Sequence, residues 1–188
     1  MPNLFIIGGC NGAGKTTAYP DIIEKKFNCK NFVNADEIQK DFLESNPHSG
    51  PITAGKEFYK RIDLLASAKT DFAFETTLAS KTLTGIINKC KSENYTIYLI
   101  FFWLDSFELA IERVKKRVSD GGHNIPENDI KRRYARGLNN LIEIYIPICD
   151  YWIVVDNTYF NSEYVAESLS KNNIIIHSIE KWGIINKK

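Results

Sequence analysis

Apolar residues in this chain fall into short runs of strand length, separated by longer stretches in which they recur every three or four positions. The runs are Leu4–Ile7, Phe32–Asn34, Phe72–Glu75, Thr96–Leu104, Tyr151–Val155 and Ile174–His177. The near-continuous run Thr96–Leu104 predicts a parallel central strand buried on both faces, and Ile174–His177 a last strand on the sheet edge. Helical spacing predicts helices over Lys15–Lys26, Glu37–Leu43, Ile52–Lys69, Leu83–Cys90, Phe107–Val118, from Glu127 to just before Pro147, and Ser162–Ser170. Pro20 falls early in the first of these, where its missing N–H costs least. Asn46–Pro51 reads as a loop from its turn residues, and Gly121-Gly122 as a hinge. Strands alternating with helices predict βαβ units with right-handed crossovers. The expectation is an α/β three-layer sandwich, a mainly parallel sheet with helices on both faces. No shift in composition divides the chain, so residues 1–188 are expected to form one domain, with 119–147 inserted as a helical lid.

The first run leads directly into chemistry. Leu4–Ile7 is followed by Gly9-Cys10-Asn11-Gly12-Ala13-Gly14-Lys15-Thr16, which has the spacing G-x-x-x-x-G-K-T, and then by Thr17 and a helical pattern. Glycines let the backbone take positive φ and approach a ligand, so that successive N–H groups converge on phosphate oxygens. The helix N-terminus adds free N–H groups and a positive dipole end. In such a loop the lysine, Lys15, reaches the β- and γ-phosphates, and the Thr16 hydroxyl ligates Mg²⁺. Gly9, Asn11, Gly12, Ala13, Gly14, Lys15, Thr16 and Thr17 are therefore the expected binding residues of a phosphate-binding loop (P-loop) for a nucleoside triphosphate with Mg²⁺.

Ligands of parallel α/β sheets bind beyond the carboxyl ends of the strands. The polar residues just after each run are Asp36, Glu75 with Thr76 and Thr77, Asp105, and Asp156 with Asn157. A carboxylate at Asp36 would accept the proton of a substrate hydroxyl attacking the γ-phosphate. It would equally serve as the N-cap of the helix that follows. Glu75, closing an aromatic strand, would hold Mg²⁺-bound water or a substrate hydroxyl, or else make a structural hydrogen bond. Asp105 mimics an acidic strand end but precedes Ser106 at a helix start, where capping explains it as well. Arg113 and Arg117 lie one turn apart before the glycines, and Arg132, Arg133 and Arg136 lie beyond them. A closing lid would bring arginines of this kind to the transferring phosphate. The plain alternative is a solvated face with pairs such as Asp129–Arg133. His123 reads as a loop residue, because no second metal-type ligand stands at suitable spacing.

Composition narrows the partners. A net charge of +1 gives no reason to expect nucleic acid or an anionic membrane. Cys10, Cys29, Cys90 and Cys149 are scattered without a C-x-x-C pair, which reads as reduced thiols in a cytoplasmic protein. No run approaches the ~20 apolar residues of a membrane span.

Gly-Gly-Cys-Asn-Gly-Ala-Gly-Lys-Thr-Thr (8–17), Val-Asn-Ala-Asp-Glu-Ile (33–38), Phe-Glu-Thr-Thr-Leu (74–78) and Gly-Gly-His-Asn-Ile-Pro (121–126) together resemble the zeta-toxin-like kinases. The resemblance runs over about the whole chain. It implies a P-loop kinase core that transfers phosphate from ATP, with Mg²⁺, to a hydroxyl of UDP-N-acetylglucosamine or a similar small acceptor. It implies Lys15, Asp36 (base) and Arg113 (lid) as catalytic residues, Asp36, Glu75 and Thr77 on the substrate, and a small helical antitoxin as partner in some members. Toxin members carry a second arginine shortly after the first, whereas this chain has Gly121-Gly122-His123, so Arg117, Arg132, Arg133 and Arg136 are the remaining candidates for lid phosphate contacts. The competing readings are a kinase of another nucleotide, sugar or nucleic-acid end, and an ATPase or switch acting on a protein.

Overall fold

The computed structural model describes residues 1–19, 23–45, 51–170 and 173–187. Strands β1 (Asn3–Gly9), β2 (Phe32–Val33), β3 (Phe72–Thr76), β4 (Thr96–Trp103), β5 (Tyr151–Asp156), β6 (Glu163–Ser170) and β7 (Asn173–Ile176) form one sheet in the order β2-β3-β1-β4-β5-β6-β7. Strands β1 to β5 pair in parallel, and β6 and β7 add antiparallel to the β5 side. The helices are α1 (Lys15–Tyr19), α2 (Lys25–Phe27), α3 (Ala35–Ser45), α4 (Pro51–Ser67), α5 (Leu83–Ser92), α6 (Phe107–Ser119), α7 (Glu127–Asn140), α8 (Ile146–Ile148) and α9 (Ile179–Ile185). Pro20 and the expected loop residues 46–50 lie outside the described residues, while Pro51 is the first residue of α4.

Side chains of a strand alternate between its faces, and β1 shows how this divides the core. Leu4 and Ile6 join one cluster with Ile62 of α4, Ile87 of α5, Leu141 and Ile185. Phe5 and Ile7 join the other with Ile23, with Ala110 and Val114 of α6, and with Ile130 of α7. The central strand is thus buried on both faces, which is why its run reads as continuously apolar. Helix α7 belongs to both clusters. Ile130 and Tyr134 pack on one face, and Leu138 packs on the other. The helix therefore passes over the carboxyl end of the sheet, above the P-loop.

Two expectations are corrected, and one element is new. Ser162–Ser170 is not a helix: residues 163–170 form strand β6. The outer edge of β5 offers a row of unpaired backbone groups, and the Trp152 N–H also finds the Ser168 hydroxyl at 2.9 Å. That long-range pairing outweighs the local helix preference of Ala, Glu, Ser and Leu. The long helix does not stop before Pro147: α7 continues through a π-helical turn, Leu141–Tyr145, into α8, which contains that proline. Widening the turn accommodates a residue that lacks an N–H and would crowd a regular helix. Finally, α9 was not expected. Its Trp182 stacks on Trp152 of β5, with ring centroids 5.5 Å apart, and closes one face of the sheet.

Candidate active site

Strand β1 delivers the chain to Gly9 at the carboxyl end of the sheet, and α1 starts again at Lys15. The turn between them needs glycine. Gly12 has φ +79° and Gly14 φ +84°, and a Cβ on Gly14 would lie 2.6 Å from Asn157 Nδ2. Lys15 is 5% exposed. Its Nζ donates to the Cys10 carbonyl at 2.8 Å and lies 3.5 Å from Glu75 Oε1. Thr16 Oγ1 donates to Glu75 Oε2 at 2.6 Å. Parallel pairing of β1 with β3, with Ile7 opposite Glu75, is what brings the carboxylate beside the loop. Burial pushes the Cys10 thiol up to about 11, so the cysteine within the P-loop is a buried thiol and not a nucleophile.

The two readings of Asp36 separate here. Helix α3 begins at Ala35, and Asn34 Oδ1 accepts the Asp36 N–H at 2.8 Å. Asn34 is the N-cap; Asp36 is not. Asn34 was not among the expected site residues, although a polar residue one place before the helix is the ordinary sequence signal for a cap. It also turns its Nδ2 toward Glu75 Oε2 at 3.4 Å. The Asp36 carboxylate is exposed and lines a cavity of about 260 Å³ together with Lys15, Glu75, Thr77, Asn11 and Arg133. Asp36 also borders a cleft of about 520 Å³ reaching Thr16, Arg117 and Gly121-Gly122. Burial, and then the charges of Glu75, Asp41 and Asp36, raise the Glu37 carboxyl on this side. Thr16 and Glu75 offer hard oxygen donors beside the phosphate loop, a set that fits Mg²⁺ completed by nucleotide phosphates.

The arginines divide. Arg133 reaches Asn11 Oδ1 from α7, at 3.4 Å, and faces the 260 Å³ cavity. The expected Asp129–Arg133 pair is replaced by Asp129–Arg132, at 2.6 Å. Arg132, Arg133 and Arg136 line a basic cavity of about 760 Å³ with Lys81, sharing Thr77 with the first cavity. Arg117 donates to the His123 carbonyl at 2.8 Å, and its Nε is buried without a hydrogen-bond partner among the described residues. Arg113 donates from its guanidinium to the Thr158 carbonyl at 2.9 Å and approaches the Gly12 carbonyl of the P-loop at 3.5 Å. Asp105 is exposed, and Ser106 is the residue that caps α6. Asp156 is 3% exposed and pairs with Lys181 of α9 at 2.7 Å. Burial alone would push its carboxyl up, but hydrogen bonds from Lys181 and Thr158 outweigh that and hold it below the ordinary range.

A P-loop between β1 and α1, a mostly parallel sheet with β3 and β4 flanking β1, and helices on both faces define the class as P-loop NTPases of the kinase-like kind. The chain belongs to the Zeta toxin family, whose sequence profile matches residues 1–146. An uncharacterized protein of Haemophilus influenzae is 26% identical over 129 residues, spanning 67% of this chain and 88% of that one. Among solved structures, the AvrRxo1-ORF1:-ORF2 complex with ATP aligns with TM-score 0.79 at 16% identity, over 98% of this chain and 63% of that one. The PezAT chromosomal toxin-antitoxin system of Streptococcus pneumoniae aligns with TM-score 0.64 at 18% identity, over 92% and 76%. At those identities the structural matches establish the shared fold. Among the described residues, no helix is long and apolar enough to cross a membrane.

Proposed function

We propose that this protein is an ATP- and Mg²⁺-dependent phosphotransferase acting on a hydroxyl of a small acceptor, in the first instance a nucleotide sugar of the UDP-N-acetylglucosamine type. The observation that carries the reading is the Asp36 carboxylate, released from capping by Asn34 and lining one cavity with Lys15, Glu75 and Arg133. Lys15 moves from the Cys10 carbonyl to the β- and γ-phosphates, supplying the fixed charge of the P-loop. Thr16 and Glu75 would hold Mg²⁺, which neutralises charge on the β- and γ-oxygens. The acceptor hydroxyl loses its proton to Asp36 as its oxygen bonds to the γ-phosphorus. The bond from that phosphorus to the β–γ bridging oxygen breaks, and ADP leaves. Arg133, and Arg117 from the cleft beside Gly122, stand where cations would stabilise the equatorial oxygens. In this reading α7 is a fixed roof, and the movable part of the 119–147 lid is the loop 120–126, because Gly137, Tyr134 and Asn140 tie α7 to the sheet. An antitoxin chain and a cytoplasmic location accompany the proposal, as the PezAT system and the toxin family suggest.

The test is incubation with labelled ATP, Mg²⁺ and a panel of UDP-sugars, free sugars and nucleotides, read by mass spectrometry. A phosphorylated UDP-sugar, absent with Lys15→Ala, is the expected product. ATP turnover that ignores every acceptor but responds to an added protein would replace this reading with a switch.

A further inference from the structure

Strand β7 is an outer strand of the sheet, and the strand at the other edge, β2, is only two residues long. Outer strands present a row of unpaired N–H and C=O groups, and chains commonly blunt them with a lysine, a proline or an inward-pointing charge. Strand β7, Asn173–Ile176, carries none of these. Its Ile174, Ile175 and Ile176 are 37% to 49% exposed.

The pairing with β6 decides which backbone groups are open. Ile176 stands opposite Ala166 and Ile175 opposite Glu167, and the His177 N–H donates to the Val165 carbonyl at 2.9 Å. Hydrogen-bonded and non-hydrogen-bonded pairs alternate along an antiparallel ladder. His177 and Ile175 therefore turn their backbone groups inward to β6, and Ile174 and Ile176 turn theirs to the open edge. Those open groups lie symmetrically about Ile175, and Ile-Ile-Ile reads the same in both directions. An antiparallel copy of the strand, centred on Ile175, sets Ile174 against Ile176 of the second copy and satisfies every one of them. A two-fold interface needs a patch that is its own complement, and β7 is one by sequence and by hydrogen-bond phase. Charge does not oppose the pairing: the strand has no ionisable residue, and the nearest, His177 and Glu167, answer each other at 2.9 Å. Leu169 on β6 and Ile179 at the start of α9 are also exposed. Five such side chains make a patch on the order of several hundred Å², against the ~800 Å² that a standard interface takes from each partner. The contact is therefore at the small end, with an expected affinity of micromolar order.

We infer that β7 is a dimerisation edge, at which two copies of this chain pair β7 to β7 in antiparallel register with Ile175 on the two-fold axis, making one continuous sheet. The axis stands perpendicular to the sheet, so strand directions reverse across it and the two P-loops open at opposite ends of the joined sheet. Strands β4, β5 and β6 lie between β1 and β7 in each copy, so nucleotide binding does not depend on the pairing.

Sedimentation velocity over micromolar concentrations tests it. The wild type should move from the mass of one chain, 21.5 kDa, toward twice that mass as concentration rises. Ile175→Lys removes the central apolar pair and sets like charges face to face, which should weaken the dimer by roughly a hundredfold. Ile175→Glu should do the same. A mixture of the two variants should regain the dimer, because the axis then joins opposite charges, while Ile175→Val keeps it throughout. Position 175 is partly exposed on an outer strand, so melting curves taken at dilutions where the wild type is a single chain should match. Should the charged variants melt early, Ile175→Thr keeps the β-branched shape and should still weaken the dimer by about tenfold. A wild type that stays a single chain overturns the inference and leaves the edge to a different protein. So does a dimer that none of these substitutions disturbs, or a mixture of normally melting charged variants that associates no better than either alone.

Discussion

Asn34 and Asp36 stand two residues apart and have separate jobs. Asn34 caps α3 and steadies Glu75, whereas the Asp36 carboxylate is directed to the cavity that also holds Lys15. The two positions should respond differently to substitution. Asn34→Ala should cost about 1 kcal/mol of stability, the usual worth of a cap. Asp36→Asn should leave the melting curve and ATP affinity intact, yet lower single-turnover transfer by at least about a hundredfold, since it removes only proton acceptance. Transfer at the wild-type rate in Asp36→Asn would take the base assignment away. The stretch Asn34-Ala35-Asp36-Glu37 shows in sequence that a helix starts here, with two residues able to cap it. Only the observed first turn, beginning at Ala35, says which one does.

Helix α7 brings Arg133 over the P-loop because it lies across the end of the sheet, and Gly137 is what lets it lie so close. A Cβ at Gly137 would come 2.6 Å from the Thr77 carbonyl oxygen, which is backbone and cannot swing aside. Tyr134 donates to the Leu104 carbonyl at 2.7 Å, and Asn140 to the Leu78 carbonyl at 2.7 Å, so the helix is fastened before and after that point. Gly137→Ala should therefore destabilise by roughly 1–3 kcal/mol, the cost of overpacking, and lower the melting temperature by roughly 2–10 °C. A Cβ at Gly85 in α5 would meet nothing within 4 Å outside its own helix backbone and chain neighbours. Gly85→Ala should gain up to about 1 kcal/mol from helix propensity alone. Opposite shifts of the two melting curves are the expected result. Equal shifts would mean that the close approach of α7 does not limit stability. The helical period of 127–140 is legible in the sequence, but Gly137 looks like any helix-weakening glycine until Thr77 is seen beneath it.

For the whole molecule, the C-terminal segment is locked to the sheet by a charge pair. Lys181 of α9 lies 2.7 Å from both Asp156 Oδ2 and Glu163 Oε2. The hydrogen bonds to those carboxylates raise the Lys181 ammonium above its ordinary value, whereas Asp156 is held below its own. A depressed carboxyl contributes stability above its unfolded pKa of about 3.9, and that contribution is lost as pH falls through the folded value. A raised ammonium contributes below its unfolded pKa of about 10.4, and loses that contribution as pH rises through the folded value. Lys181→Met should thus cost roughly 3 kcal/mol at pH 7, the low end for a partner of a buried charge because the lysine is partly exposed. The deficit relative to wild type should shrink as pH falls below about 3.9 and on through the depressed folded value of Asp156, beyond which that carboxyl binds a proton in both chains. Melting curves from pH 2.5 to 8 measure it. A deficit that stays constant across that range would mean the lysine acts through packing alone.

Periodicity and residue chemistry determined the α/β class, the five parallel strands and the P-loop, because each is written in local spacing: buried runs, helical repeats, and glycines at fixed offsets before Lys15 and Thr16. The polar residues at strand ends were legible for the same reason, since a parallel sheet has one ligand-binding end. Tertiary structure decided the rest. Residues 163–170 became a strand because the edge of β5 was open to them. Arg113 turned to the Gly12 and Thr158 carbonyls, and Arg133 to Asn11, because the path of α6 and α7 over the sheet fixed where each guanidinium could reach. Asp156, equal to Asp36 in a list of strand-end carboxylates, was claimed by Lys181 from a helix 25 residues downstream. Which charge meets which is a matter of packing, and packing is not encoded in the spacing of neighbours along the chain.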